Sequence, residues 1–192
     1  MEELFNILLF SQDFREKDKK ELKIYEVWFN ENKDKCLLEL EYLVQRTLGY
    51  EDWQMDYSKE SLMGLGKWLK TNVKIQQLSE EDYAKVRATV PDYIDIDDWT
   101  LTLETRTILL DAGIYFGEVF IHNYKNLYWK QHFSSAKNRD INHGNMVISL
   151  SNKKGSDLNP IRIMNNIGEI FGEGIGSDSE LIKLYEVWEK YL

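Results

Sequence analysis

Cysteine is nearly absent. Cys36 stands alone, so no internal disulfide can form, and no Cys/His spacing suited to zinc accompanies it. A small buried hydrophobe on a helix is the simplest role for it. Long apolar runs are missing too. The longest falls well short of the roughly 20 residues that cross a bilayer. The leading MEELFNILLF carries Glu2 and Glu3 where a signal peptide would carry basic residues, so a cytoplasmic protein without a membrane segment is expected. Only three histidines occur, with neither a nucleophile-elbow serine nor an H-E-x-x-H pair, which argues against hydrolytic triads and zincin-type proteases. Two prolines and eleven glycines punctuate the chain, far too few for a low-complexity segment.

What is present points to a packed domain. Hydrophobic residues make up 43% and aromatic residues 13%, with six Trp and eleven Tyr, which excludes disorder, and 192 residues suit a single domain over 1–192. The net charge of −9 is unevenly spread. Residues 80–118 hold ten acids and three bases, whereas residues 119–164 hold two acids and seven bases. The total disfavours nucleic acid as a partner and suits a basic protein.

Apolar spacing predicts helices over 2–14, 17–30, 34–47 and 58–70, and Ser79 with Asp82 signals a short capped helix ahead of the acidic connection VPDYIDIDDW. In the helix over 58–70, Leu62, Leu65, Trp68 and Leu69 should face inward, and Gly64 and Gly66 should permit close approach by a neighbour. The longest periodic segment runs from Thr100 to about Tyr124. It is apolar over so much of its circumference that it should be the central buried helix. LYWKQHF and NMVISLS alternate as strands, SSAKNRDINHG connects them, and SNKKGSD makes a turn. Asn159 and Pro160 should cap and open a further helix. GEGIGSDSE should end it and open the last one with Ser177 as cap; helix termination suits these glycines better than a phosphate loop. The expected fold is therefore a mostly helical α+β domain. A helical part over 1–99 precedes a helix-strand-strand-helix-helix part over 100–192, whose long helix packs on a small antiparallel sheet.

Two groups of residues are candidates for function. Glu118 and His122 lie one helical turn apart, and His132 and His143 could join them, so a metal-dependent enzyme using a zinc-like ion is one reading. The structural reading makes Glu118 a buried carboxylate paired with Lys130, Arg162 or a backbone donor, and His122 a helix-end residue beside the negative end of the dipole. Asp92, Asp95, Asp97 and Asp98 lack the glycine and terminal glutamate of an EF-hand loop. They form an acidic stretch anchored by Trp99, either a solvated loop or a contact patch for a basic partner.

The segment LLDAGIYFGEVFIHNYKNLYWKQH, followed by NHGNMVISL and LNPIRIM, resembles a module of uncharacterised bacterial cytosolic proteins. There, a helix bearing G-x-Y-x-G-E runs into an aromatic strand, a second strand and a Pro-containing helix start. The matching residues are Gly113, Tyr115, Gly117, Glu118, Trp129 and Pro160, within residues 105–172. The resemblance implies a shared fold, structural roles for these six residues, and an immunity-like function. A non-enzymatic protein-binding factor without a cofactor is the leading expectation.

Overall fold

The computed structural model describes residues 14–135, 138–150 and 157–192. Apart from Phe14, the helix expected over 2–14 lies outside the described residues, as does the SNKKGSD turn apart from Asp157. A 3-10 turn at Phe14–Glu16 leads into helix α1 (Lys19–Gln45), followed by α2 (Ser61–Asn72), β1 (Ile75–Gln77), α3 (Glu80–Thr89) and β2 (Trp99–Leu101). Then come α4 (Leu103–Asn123), β3 (Tyr128–Gln131), β4 (Met146–Ser149), α5 (Pro160–Gly172) and α6 (Glu180–Glu189). The protein is a mostly helical α+β structure in which α4 packs on the strands. Among the described residues no helix is long and apolar enough to cross a membrane.

The two helices expected over 17–30 and 34–47 are one continuous helix, α1. Nothing between Asn30 and Asp34 breaks it: Asn30 and Asn32 turn their amides back to donate to the carbonyls of Glu26 and Trp28, each at 2.8 Å. A capping box starts the helix, with Asp18 accepting from the backbone of Glu21 and Glu21 accepting from that of Asp18. Along α1, Leu22, Tyr25, Phe29, Cys36, Leu37, Leu40 and Val44 form one buried stripe.

Helix α4 begins later than expected. Residues 99–101 pair with β1 instead, in the register Ile75↔Leu101 and Gln77↔Trp99, and Thr102 caps the helix by accepting from the backbone of Thr105. This second two-stranded sheet is a correction to the expected architecture; three-residue strands are too short to show a period of two. From Leu109 to Phe120 every α4 residue is buried, with α1 and α5 packed against it. The expected sheet forms with the register Trp129↔Ile148, and Leu158 adds a further bridge to Ile148. Strand β4 is therefore buried along its length.

Capping follows the sequence in α5, where Asn159 accepts from the backbone of Arg162 and Pro160 sits in the first turn. It departs from it in α6. There Ser179 holds the cap position, and Ser177 donates instead to the Glu180 carboxylate, whose pKa Lys183 and then that bond lower to about 2.

Gly113 and Gly117 form the expected stripe of close approach. A Cβ on Gly113 would lie 2.6 Å from the Ile161 Cα, and one on Gly117 would lie 2.3 Å from the Trp129 ring. The first obstacle is backbone, which cannot swing away. Gly113→Ala is accordingly expected to destabilise the protein by about 1–3 kcal/mol or more despite the gain in helix propensity. Urea denaturation would check this, and an unchanged midpoint would show that α5 is not seated on α4 at this glycine.

Candidate functional site

Glu118 owes its surroundings to its neighbour. Because Gly117 has no side chain, the Trp129 ring lies against α4, and its Nε1 donates to Glu118 Oε1 at 2.8 Å. Lys33 reaches the same oxygen from α1, also at 2.8 Å. The partner is thus Lys33 rather than the expected Lys130 or Arg162: Lys130 pairs with Asp157 at 3.0 Å, and Arg162 donates to the Ile141 carbonyl. Burial works against the Lys33 charge, but the hydrogen bond and charge of Glu118 outweigh it and raise its proton affinity.

His122 is bound to the same turn. Its Nδ1 lies 2.9 Å from the Glu118 backbone oxygen, which can only accept, so Nδ1 carries a proton and donates. The ring stacks on Tyr57 with centroids 3.7 Å apart. Tyr57 itself has a positive φ of 58°, and the Tyr115 hydroxyl accepts from its backbone N–H. Nearby, Tyr115 and Ser61 share a hydroxyl–hydroxyl bond, so the tyrosine of the G-x-Y-x-G-E segment ties α4 to α2.

The other two histidines make different bonds near Asp140. His132 bridges two carboxylates, with Nδ1 3.0 Å from Asp157 and Nε2 3.0 Å from Asp140. His143 is buried and meets Ser134. Among the described residues, no three His, Cys, Asp or Glu side chains gather to hold an ion. Glu118 and His122 instead bond within one turn of α4, whereas His132 bonds Asp140 and Asp157 and His143 bonds Ser134. Asp111 is a buried carboxyl that sequence reasoning missed. Burial pushes it up to about 7, against a hydrogen bond from Cys36. Only its position on the buried circumference of α4 could have signalled it.

The acidic stretch is held quite differently. Helix α3 buries no residue, and it packs broadly on no other element. With the connection after it, α3 forms an arm over 78–98 that leaves the sheet at β1 and returns at β2, where Leu78 donates to the Asp98 carbonyl at 2.7 Å. Ser79 caps α3 as expected, accepting from Asp82. Arg87 gathers the loop by donating to the carbonyls of Val90, Pro91 and Ile94. Asp92, Asp95, Asp97 and Asp98 are all exposed, and none is in an ion pair with another described residue. Trp99 is half-buried at the base, its ring against Gly172. Compared with known families, curated proteins and solved structures, the chain gives no match.

Two outcomes follow from the charged groups. Lys33→Met leaves the Glu118 charge buried without its cation, and because Lys33 is partly exposed the loss should lie near the lower end of roughly 3–5 kcal/mol. Adding Glu118→Gln removes the stranded charge while keeping an acceptor for Trp129. The double variant should melt above Lys33→Met; if it melts lower, Glu118 does not depend on Lys33.

Burial alone would lower the His132 proton affinity, but Asp140 and Asp157 outweigh it and raise it. Lys130 on Asp157 and the nearby His143 share this cluster. A raised histidine contributes fully below its unfolded value near 6.5 and loses that contribution as pH rises through the folded value. The stability difference between wild type and His132→Ala should thus be largest near about pH 6 and shrink towards about pH 9. Growth of the difference with pH, in urea melts, would contradict the bridge.

Proposed function

We propose that the protein is a non-enzymatic binding factor that captures a basic protein on the arm over 78–98 and masks it, in the manner of a bacterial immunity or defence-associated protein. One observation supports this above the others: the arm is a protruding element that buries nothing yet is tied into one shape. Seven acids of the arm are exposed, and its two bases are already engaged, Lys85 by Glu81 and Asp82, Arg87 by backbone carbonyls. Tyr93 and Ile94, 86% and 43% exposed, add apolar surface among the aspartates.

Such a surface favours a partner of opposite sign. Clustered carboxylates accelerate encounter with a basic protein, and the exposed tyrosine offers an anchor once contact is made. The Arg87 bonds lower the ordering cost of binding, because the loop need not be arrested by the partner. Trp99 acts from the base, holding the arm to the core. The resemblance of the G-x-Y-x-G-E segment to immunity-like proteins adds the functional class.

Replacing Asp92, Asp95, Asp97 and Asp98 together with Asn should slow association about tenfold or more at low salt, with the difference fading as ionic strength rises and charge is screened. Affinity capture with wild type and variant as baits, then stopped-flow mixing with the captured protein, would measure this. A partner bound equally fast by both chains would remove the arm from the account.

A further inference from the structure

A cleft of about 670 Å³ opens between the start of α1 and the end of the β3–β4 hairpin, and no residue of the acidic arm lines it. The volume lies in the range that holds small molecules, roughly 300–1,000 Å³. Leu22, almost wholly buried, and Phe133, 56% exposed, supply apolar walls. Lys17, Lys19, Lys23 and Arg139 surround them; Lys17 is engaged by Glu21 at 3.5 Å and Lys23 by Glu26, the one acid of the lining, at 2.6 Å. Arg139 donates to the backbone carbonyls of Arg15 and Lys17, neutral groups that leave its charge uncancelled. Among the described residues Lys19 is in no ion pair.

The lining of the cleft also includes a ring donor. His143, 6% exposed, lines it. The Ser134 backbone N–H points to His143 Nδ1 at 3.3 Å. The Ser134 hydroxyl oxygen accepts from the Asp140 backbone at 3.0 Å, and its own hydrogen is directed to Nδ1, also at 3.0 Å. Nδ1 is therefore an acceptor, and the proton of the neutral ring sits on Nε2. Burial, then the charge of Arg139, lowers the affinity of this ring for a second proton. No described group accepts from Nε2–H. A ring donor left open at the lining, together with a cluster of cations and apolar walls, gives the mixture of apolar surface and a few polar groups that small-molecule clefts present.

We propose that this cleft binds a small amphiphilic anion, with a carboxylate or phosphate head taking the His143 Nε2–H beside Arg139 and Lys19, and an apolar body lying along Leu22 and Phe133. The apolar walls exclude a bare inorganic anion as the preferred ligand, and the cations exclude an amphiphilic amine. A neutral histidine donates to the head without needing to be charged, so binding persists above the ordinary histidine range.

The test is a fluorescence titration of the full chain with 1-anilinonaphthalene-8-sulfonate, an aromatic body carrying one anionic head. Saturable binding of one probe per chain is expected, with affinity at least tenfold weaker in the Lys19→Glu/Arg139→Glu double variant, whose changes lie on the exposed rim. His143→Phe, with folding verified by circular dichroism, should weaken it as well while keeping an aromatic ring in place. Decanoate and decyl phosphate should displace the probe, and whichever does so at lower concentration identifies the head group as carboxylate or phosphate. Decyltrimethylammonium and inorganic phosphate should not. The proposal is overturned by absence of saturable binding, by equal affinity in the rim variant, by displacement with the cationic amphiphile or with inorganic phosphate alone, or by binding that occurs only after residues 1–13 are removed.

Discussion

A single carboxylate oxygen joins three elements, one of them far away in sequence. Glu118 Oε1 receives Lys33 from α1 and Trp129 from β3 while sitting on α4, so helix, helix and sheet meet at one point in the core. The meeting is possible only because Gly117 leaves room for the indole. Isolated, such a carboxylate would be costly to bury; with two donors it becomes a directional restraint that apolar packing alone does not provide. Phe29 packs at a tilt against the same indole, so the polar restraint and the aromatic packing of α1 reinforce each other.

That junction explains why the G-x-Y-x-G-E segment reads as a unit. Gly113 admits the start of α5, Tyr115 reaches α2, Gly117 admits Trp129, and Glu118 binds what Gly117 admits. His122 closes the series one turn later by donating to the Glu118 carbonyl and lying on Tyr57. The acid and the histidine whose spacing suggests chemistry are thereby engaged in holding elements together. The three histidines illustrate three environments: a helix-end ring stacked on tyrosine, a ring bridging two carboxylates, and a buried ring with one nitrogen occupied and one left over.

Much of the fold was legible because its signals are local. The apolar circumference of α4, the Asn159–Pro160 start of α5 and the Ser79 cap depend on residues within a turn or two of each other. What stayed hidden depends on distance. Lys33 lies 85 positions from Glu118, and nothing near either residue announces the other. Strands β1 and β2 are three residues each and separated by a helix, so neither periodicity nor a hairpin turn betrays their pairing. The continuity of α1 was missed for another reason: asparagines at 30 and 32 look like cap residues, yet they bond backward along the helix. At the site level, the exposed aspartates were readable from composition, whereas the His143 donor needed the geometry of Ser134 and Asp140.

The arm over 78–98 begins and ends on paired strands, with Gln77 opposite Trp99. Its two ends are thus held at the spacing of adjacent strands whatever lies between them. The entropy of closing such a loop grows only with the logarithm of its length. Since α3 contributes nothing to the core, the arm is a cassette: substitutions, insertions or replacement of its outer residues alter what the molecule presents without altering what keeps it folded. The surface this arm presents and the core that keeps the molecule folded are consequently written in separate stretches of one chain, and the first can vary while the second stays constant.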